Sequence, residues 1–481
     1  MTKEQIIKKV NSYSGAKVKV AITDIDGILR GKVMSRDKFL GILENGFGFC
    51  DVVFGWDMAD ELYDKAKFTG WHTGFPDVNA KIDLSTFRQV PWDNDIPFFL
   101  GDFRDEKDVP LGICPRNLLR KIDSQARDAG YVPFFSQEFE WFNFKETPQS
   151  LYKKNFKNMR PLTPGMFGYS ILRSSFPILE IQAKPKSKGA SNKNKKPRHT
   201  FFSNLFDWLN SYDIPLEGLH TETGPGVYEA AILYSEILEA ADRATLFKTG
   251  VKEIAYQHKL VASFMAKWNA DLPGCSGHVH QSLWNKKKTS NLFYNRSDKN
   301  GMSDLMKSYV AGQLHCLPHI LPMYAPTINS FKRLVEGAWA PTTLTWGMDN
   351  RTTALRVLTG SSKAARLETR VPGSDTNPYI TMAACLASGL YGIKKKMKLK
   401  QPNTVGNGYR EFAYGKLPNS LEVATKAMRK SKLANELFGS EFVDHFLITR
   451  EWEYNRYNKH VKKRSKTAIS SWELKRYFEI I

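Results

Sequence analysis

Apolar and polar positions divide the chain into two regions with different patterns. Between residues 16 and 101, the pattern is strand-like and of short period, in runs such as AKVKVAITDID and IPFFLGDF, with loops rich in glycine, aspartate and proline between them. This pattern predicts a small domain of mixed β-structure. The run PLGICP interrupts it, and residues 116–128 then have helical spacing, with Pro115 placed to start a helix. We therefore place a domain boundary near Val109.

Beyond this boundary, strand-like and helix-like segments alternate. Residues 131–144 and 227–234 have the pattern of strands, and residues 199–212 and 235–259 have the pattern of helices. The order predicts an α+β fold in which the strands pair in antiparallel fashion. We therefore predict an N-terminal domain at residues 1–109 and a larger domain at residues 110–481.

Polar side chains occur at every second position inside otherwise apolar strands. The segments are FFSQEFEWF, SGHVHQSLW, ARLETRVPG and HTETGPGVYEAAI. Residues two apart on a strand lie on the same face of its sheet. If these strands belong to one sheet, its polar face carries a set of carboxylates and one imidazole, namely Glu138, Glu140, Glu222, Glu229, Glu368 and His278.

So many carboxylates on one face repel each other unless cations neutralise them, so the pattern predicts bound metal. Ligands that are mostly oxygen favour Mg²⁺ or Mn²⁺ over zinc. The alternative is that each segment is the solvated face of a separate antiparallel sheet, with Arg366, Glu368 and Arg370 forming a ladder of ion pairs.

A second group of candidate residues is basic. It consists of Lys332, Arg333, Arg351, Arg356, Lys363, Arg366 and Arg370. Guanidinium groups suit phosphate and carboxylate oxygens, and arginines beside metal ions are what phosphoryl transfer requires. The alternative is solvated surface charge.

Composition excludes several classes of protein. The chain has 481 residues and a net charge of +21, and seven of the positive charges lie in the acid-free run at residues 184–198. No zinc-finger spacing, RNP-like signature or basic heptad region accompanies this charge, so we expect no nucleic-acid partner. The five cysteines have no CxxC spacing, and the uncharged stretch at residues 379–393 is too short to span a bilayer. We expect a soluble, cytoplasmic protein that binds no membrane.

Several runs together resemble the glutamine synthetases. They include TDIDGILRGKVMS, EFEWF, ETGPGVYE, HVHQSLW, NSFKRLV, NRTTALRV, ARLETRVPGSDTNPY and SWELKRYFE, in the family's order across residues 16–480. The resemblance implies an N-terminal β-grasp domain and a catalytic domain built on a curved antiparallel sheet with helices. It also implies a homo-oligomer of two stacked hexamers, a dodecamer, whose active sites are completed across subunit boundaries.

The same resemblance assigns roles to individual residues. One metal ion would be held by Glu140, Glu222 and Glu229, and a second by Glu138, His278 and Glu368. Gly274, Arg333 and Arg370 would hold glutamate, and Arg351 would meet the transferred phosphoryl group. ATP would contact a further set, namely Tyr234, His280, Ser282, Arg356, Lys363 and Arg366. For Ser282 and Tyr234 the alternative is an ordinary packing role on a strand.

The implied reaction has two steps. The γ-phosphoryl group of ATP moves to the side-chain carboxylate of glutamate, and an amine nitrogen then displaces phosphate from the acyl phosphate. Loops that close over the site would keep water away from this intermediate.

The sequence departs from the family where ammonia would bind. Trp339 occupies the position of a carboxylate on the flap, and Gly55 that of an aspartate on the β-grasp loop, with Asp57 nearby. A tryptophan offers a flat apolar wall and a cation–π surface. The pattern resembles the γ-glutamylpolyamine and γ-glutamylalkylamide synthetases, so we predict an amine acceptor.

Two other functions stay open. In the first, Trp339 only packs, Glu336 or Asp57 serves ammonia, and the chain is a glutamine synthetase. In the second, the chain is a non-catalytic assembly of the same fold, although all six metal ligands are present.

The glutamate loop also departs from the family. Pro273 replaces an asparagine that is usual there, and this change bears on which acid the enzyme uses as its substrate.

The basic run at residues 184–198 is predicted to be a dispensable solvated loop, because its lysine, serine, asparagine and glycine residues include no apolar anchor. Deleting the run should leave the rate of phosphate release within a few-fold of the unmodified protein. A collapse of ATP affinity in the deletion variant would show instead that the run belongs to the nucleotide site.

Overall fold

Two β-sheets organise the chain in this computed structural model, which describes residues 1–166, 168–171, 173, 200–463 and 465–481. The loop predicted at residues 184–198 lies outside the described residues. No helix within the described ranges is long and apolar enough to cross a membrane. All five cysteines are free thiols, as their spacing predicts.

The first sheet is formed by the N-terminal part of the chain. Its elements are α1 (Lys3–Ser12), β1 (Lys17–Thr23), β2 (Leu29–Ser35), α2 (Arg36–Gly41), β3 (Phe47–Cys50), β4 (Asp77–Val90) and β5 (Ile96–Arg104). The strand order is β2-β1-β5-β4-β3; β1 and β5 run parallel and the other neighbours antiparallel. The mixed β-structure predicted for this region is therefore present, and its assignment as a β-grasp domain ending at residue 109 remains a prediction.

The second sheet has nine strands and is built from the rest of the chain. They are β6 (Tyr131–Phe144), β7 (Leu216–Thr221), β8 (Val227–Ile232), β9 (Ser235–Glu236), β10 (Val261–Ser263), β11 (Gly277–Asn285), β12 (Trp346–Met348), β13 (Leu355–Leu358) and β14 (Arg366–Thr369). The main order is β12-β13-β14-β11-β6-β8-β7, and β9 and β10 also pair with β6.

Helices cover this sheet and continue to the C-terminus. They are α3 (Pro115–Asp128), α4 (Pro148–Lys153), α5 (Phe201–Ser211), α6 (Ile237–Gln257), α7 (Asp304–Ile320), α8 (Ser330–Arg333), α9 (Pro378–Lys394), α10 (Leu421–Lys430), α11 (Lys432–Phe438), α12 (Ser440–His460) and α13 (Ser471–Tyr477). The helices predicted from periodicity thus correspond to α3, α5 and α6, with ends that differ by one or two residues.

Apolar side chains set the orientation of the central strand β6. Phe139 and Trp141 are fully buried and pack against Phe247 of α6, with ring centroids 5.8 and 5.5 Å apart. Because side chains alternate along a strand, Glu138 and Glu140 must face the opposite side of the sheet. The packing of α6 therefore decides where the polar side chains of β6 point.

The predicted antiparallel pairing holds for most of the second sheet but is wrong at one edge, where β12 and β13 run parallel. Parallel neighbours usually need a long crossover connection. Here β12 is only three residues long, so residues 349–354 suffice to return the chain to the start of β13.

One buried guanidinium connects the first sheet to α6, the helix that packs on the second sheet. Arg116, at the start of α3, donates hydrogen bonds of 2.8 Å to Asp83 of β4 and Asp102 of β5, and of 2.9 Å to Asp242 of α6. Burial alone would raise the pKa of Asp83, but Arg116 and further hydrogen-bond donors hold it well below its usual value. Arg116 is thus shared by three carboxylates, and Arg120 also donates to Asp83 at 3.1 Å and to Asp102 at 2.9 Å.

We expect Arg116→Met to lower the melting temperature by roughly 3–5 °C. Removing one partner of a buried ion pair costs about 3–5 kcal/mol, and the same loss of free energy shifts the melting temperature less in a long chain than in a short one. Differential scanning fluorimetry measures this shift. Lys3→Met is the control, since it removes only an exposed pair with Glu44 and should leave the melting temperature unchanged. Equal melting temperatures for the two variants would contradict the role of Arg116.

Candidate active site

The polar strand segments lie side by side in the second sheet. His278 is directly opposite Glu138 in the β11–β6 pair, and Glu140 is opposite Glu229 in the β6–β8 pair. Glu368 of β14 is opposite His280 of β11. The condition set by the sequence, that these strands belong to one sheet, is therefore met.

A first cluster of carboxylates gathers around the Gly-Pro-Gly turn between β7 and β8. Ligand atoms of His220, Glu222 and Glu229 lie within 4.8 Å of one another. The Nε2 atom of His220 is 3.3 Å from Glu229 Oε1, and its ring stacks on Tyr169 with centroids 4.5 Å apart. Glu140 adjoins the cluster from β6 and accepts a hydrogen bond of 2.5 Å from the Ser276 amide.

No lysine or arginine of the described residues forms an ion pair with Glu140, Glu222 or Glu229. Burial, together with repulsion from the neighbouring glutamates, raises the pKa of Glu229 to about 10. Burial also raises the pKa of Glu140, and the negative charge of Glu222 raises it further. The hydrogen bond from the Ser276 amide acts in the opposite direction. Carboxylates held in this way require a bound cation to ionise together at neutral pH.

A second cluster lies around His278. Its Nδ1 atom is 3.5 Å from Glu138 Oε1 and 3.3 Å from Glu368 Oε1. Burial and the charge of Arg370 lower the pKa of His278 to about 4, so the imidazole is neutral at pH 7. A neutral imidazole is the form that can bind a metal ion.

Glu368 is already partly neutralised. Arg356 donates to its Oε2 at 2.8 Å, and Arg370 donates to its Oε1. Although burial acts to raise the pKa of Glu368, Arg370 and the nearby imidazoles lower it to about 2. The alternative considered from the sequence, an ion-pair ladder around Glu368, is thus realised in part, with Arg356 rather than Arg366 as the second cation.

His280 has different partners from His278. Its Nδ1 atom accepts a hydrogen bond of 3.2 Å from Arg366 Nε, so the proton of the neutral ring is on Nε2, which is 3.5 Å from Glu138. A protonated nitrogen cannot bind metal. His280 lies within ligand distance of Glu138 and Glu368, so the assignment of His278 as the metal ligand remains a prediction.

The donor set fits divalent cations. Among the described residues, the buried Nε2 atoms of His220 and His278 have no hydrogen-bond partner. Ligands of an octahedral ion with bonds of about 2.1 Å lie about 3 Å apart, close to the separations around His278 Nδ1. Carboxylate oxygens with one imidazole per cluster suit Mg²⁺ or Mn²⁺.

A cavity of about 520 Å³ opens above both clusters. Its lining includes Glu138, Glu140, Glu222, Glu229, Gly274, His278, Arg351, Arg356 and Arg370. A side chain at position 274 would place its Cβ 2.5 Å from the Ala266 carbonyl oxygen, so the close approach there requires glycine. Most of the residues predicted from the sequence are therefore brought to one cavity.

Arg333 lies behind the wall of this cavity. It is 2% exposed and donates to Val371 O and Ser276 Oγ, both at 2.9 Å. Arg351, in contrast, is exposed, lines the cavity and has no ion pair among the described side chains. The predicted contact of Arg333 with glutamate remains a prediction, and Arg351 is free to meet an anion.

A neighbouring cavity of about 470 Å³ contains most of the residues predicted to contact ATP. It is lined by Tyr234, His280, Ser282, Lys363 and Arg366, among others. The rings of Tyr234 and Trp284 lie 5.9 and 5.7 Å from the ring of Phe134, so one side is aromatic. Arg356 lines the first cavity instead.

The two cavities share three lining residues, Glu138, His280 and Arg366. An aromatic and basic cavity thus adjoins an acidic one at these side chains. Such an arrangement allows a nucleotide to present its terminal phosphate to an acceptor beside the carboxylate clusters.

Trp339 lines the first cavity together with Ala338 and Pro273. It follows α8 on a turn, has φ of 57°, and is 57% exposed. A bulky residue in the left-handed region costs free energy, and strain of this kind concentrates at functional sites. These three residues form an apolar part of the lining, and the role of Trp339 toward the amine remains a prediction.

The two carboxylates considered for ammonia lie elsewhere. Asp57 is buried and accepts hydrogen bonds from Trp452 at 2.8 Å and Arg476 at 2.7 Å, as well as from two backbone amides. Glu336 is 3.7 Å from Arg410 and does not line the cavity of this chain. Asp57 is therefore held by buried contacts, whereas Glu336 makes only an exposed ion pair.

Comparison with known proteins identifies the family. The model of the glutamine synthetase catalytic domain matches residues 112–477. Type-1 glutamine synthetase 2 of Dictyostelium discoideum is 51% identical over 99% of this chain and 86% of its own length. Glutamate–isopropylamine ligase of a Pseudomonas species is 36% identical over 100% and 99% of the two chains.

Solved structures agree in fold. One, described as a GmaS/ADP complex, has a TM-score of 0.79 and covers 98% of both chains at 23% identity. The chain belongs to the glutamine synthetase family, whose enzymes use ATP and divalent metals. It is an ATP-dependent γ-glutamyl ligase, which confirms the class of enzyme predicted from the sequence.

Two residues at the site were missed by the sequence analysis. His220 lies on β7, two positions before Glu222, so the rule that residues two apart share a face could have identified His220. Tyr169 carries no local signal, because it reaches the cavity from a separate loop and is recognised only by its stacking on His220.

We expect Glu138→Ala and Glu368→Ala each to abolish phosphate release while leaving the oligomer assembled, because each removes a candidate metal ligand. A phosphate-release assay and size-exclusion chromatography measure the two properties. Glu422→Ala, which changes an exposed glutamate on α10, is the control and should retain full activity. Normal turnover in both site variants would refute the metal site.

Proposed function

We propose that this enzyme joins glutamate to an alkylamine or polyamine, forming a γ-glutamyl amide with consumption of ATP. The observation that carries the proposal is Trp339, an apolar side chain in the cavity wall at the position where an ammonia-using enzyme is expected to place a carboxylate. Ammonia itself is the second candidate acceptor.

The two cavities support a division of roles. ATP would occupy the aromatic cavity, with Tyr234 beside the base and Lys363 and Arg366 near the phosphates. Glutamate would occupy the acidic cavity, held at Gly274, Arg333 and Arg370. Its side-chain carboxylate would then face the junction of the cavities at Glu138 and His280.

Two divalent ions, Mg²⁺ or Mn²⁺, would neutralise the site. Glu140, Glu222 and Glu229 would hold one and Glu138, His278 and Glu368 the other, and His220 is a further nitrogen donor beside the first. Bound there, such ions supply charge for phosphoryl transfer. Arg351 would stabilise the transferred group, and an amine would displace phosphate from the resulting γ-glutamyl phosphate.

The amine must lose a proton in the second step, because an alkylamine is mostly protonated at neutral pH. Asp57, Glu336 and solvent are the candidate acceptors. Asp57 is buried in an ion pair with Arg476, which disfavours it, while Glu336 makes only an exposed ion pair with Arg410. Glu336 and solvent at the mouth of the cavity therefore remain as acceptors.

Relatives support both candidate acceptors. The names of two relatives, glutamate–isopropylamine ligase and γ-glutamylethanolamide synthetase GlnA4 of Streptomyces coelicolor, specify substituted amines. The 51% identical Dictyostelium relative is named a glutamine synthetase, which favours ammonia. The apolar wall at Trp339 favours the substituted amine for this chain.

We further propose that the enzyme works in the cytoplasm as a dodecamer of two stacked hexamers, with the N-terminal domain of one subunit completing the site of the next. The exposed Trp71, at 83% exposure on the loop that follows Gly55 and Asp57, is available for such a contact.

A substituted amine should exceed ammonia by at least tenfold in kcat/KM, because each methylene buried against Trp339 contributes about 0.8 kcal/mol, about fourfold in specificity. Trp339→Glu should shift the preference toward ammonia. Phosphate release with glutamate, ATP, ammonia and a panel of amines measures both effects.

Tyr152→Glu is the matched control for this substitution, since Tyr152 is 62% exposed on α4 and does not line the cavity. Its amine preference should equal that of the unmodified enzyme. If the unmodified enzyme prefers ammonia over every amine tested, the chain is a glutamine synthetase with a rebuilt ammonium site.

A further inference from the structure

A buried carboxylate on the C-terminal helix α13 lies behind the glutamate site. Glu473 is 0% exposed and does not line the cavity. Its Oε2 atom accepts hydrogen bonds from Lys332 Nζ at 2.5 Å and from Ser470 N and Oγ at 2.8 Å. Its Oε1 atom accepts from Asn329 Nδ2 at 3.0 Å. Both carboxylate oxygens of Glu473 therefore accept hydrogen bonds from side chains of the segment that includes Arg333.

The first connection runs through Lys332 to Arg333. Both residues belong to α8, a helix of four residues. A single turn has too few hydrogen bonds to hold its own conformation, so contacts from outside must fix it. Lys332 is 3% exposed, and its ion pair with Glu473 holds one side of α8. The orientation of α8 in turn sets the direction of the Arg333 guanidinium.

The second connection runs through Asn329 to Gly274. The Asn329 side chain donates to Lys267 O at 2.8 Å and accepts from Lys267 N at 2.7 Å, which clamps that backbone. The adjacent residue, Ala266, accepts a hydrogen bond of 2.8 Å from the Cys275 amide. Through Asn329, Glu473 therefore also supports the backbone against which Gly274 packs.

We propose that Glu473 is a positioning residue for glutamate binding, because it holds Arg333 and the Gly274 loop from behind through Lys332 and Asn329. The inference rests on the proposed function, in which Arg333 and Gly274 contact glutamate. A buried ion pair with all its oxygens engaged is a rigid support, and residues that hold binding groups in place govern how precisely a site is formed.

Removing the charge of Glu473 tests this role. Glu473→Gln keeps the size of the side chain and an oxygen for Asn329 but leaves the Lys332 ammonium buried without a counter-charge. We expect the KM for glutamate to rise at least tenfold, with the KM for ATP and kcat within threefold. Glu473→Asp keeps the charge but is too short for all its partners, and should raise the KM for glutamate about threefold.

Ser470→Ala is the matched control. It removes the cap of α13 and one hydrogen bond to the same carboxylate but leaves the Lys332 pair in place. The KM for glutamate should stay within twofold of the unmodified enzyme. An equal rise in Ser470→Ala, or equal rises for glutamate and ATP in Glu473→Gln, would overturn the proposal, because Glu473 would then only anchor the chain end.

A folded Glu473→Gln variant with an unchanged KM for glutamate also overturns the proposal. If this variant does not assemble, Glu473→Asp decides by the same comparison. Arg333→Ala, measured alongside, separates the two levels of inference. If Arg333→Ala raises the KM for glutamate and the Glu473 variants do not, only the positioning role fails. If Arg333→Ala has no effect, the proposed glutamate contact fails, and the positioning role with it.

Discussion

Electrostatic repulsion among buried carboxylates is the constraint on which the active site depends. The second sheet holds Glu138, Glu140, Glu222, Glu229 and Glu368 on one side, and burial with mutual repulsion raises the pKa of Glu229 to about 10. Among the described residues, Arg356 and Arg370 pair with Glu368, and no lysine or arginine forms an ion pair with Glu140, Glu222 or Glu229. These three carboxylates therefore call for cations from outside the protein, and the buried Nε2 atoms of His220 and His278 beside them have no hydrogen-bond partner in the described part of the chain.

The apolar side of the sheet makes this arrangement unavoidable. Phe139 and Trp141 pack on α6, so their neighbours on β6 have to face the cavity. Shifting β6 by one residue would bury glutamates against α6 and expose aromatic rings, which costs far more than the repulsion. The hydrophobic core thus holds the acidic face in place whether or not ions are bound.

The sequence predicted what depends on local periodicity. The strand at residues 131–144 and the shared face of Glu138 and Glu140 follow from patterns within a few residues. The family assignment came instead from the resemblance of several motifs along the chain. What it missed depends on contacts between distant parts of the chain. The pairing of Asp57 with Arg476, which is 419 residues away, has no local signal in the sequence. Tyr169 likewise reaches the site only through the fold.

Binding of Mn²⁺ to the purified, metal-free protein tests the central claim most directly. Electron paramagnetic resonance counts the ions that become bound as Mn²⁺ is added, and the melting temperature reports their effect on stability. The account predicts saturable binding of two ions per chain together with a rise in melting temperature, because the ions relieve the repulsion among the carboxylates. Absence of saturable binding at millimolar Mn²⁺, with an unchanged melting temperature, would contradict it.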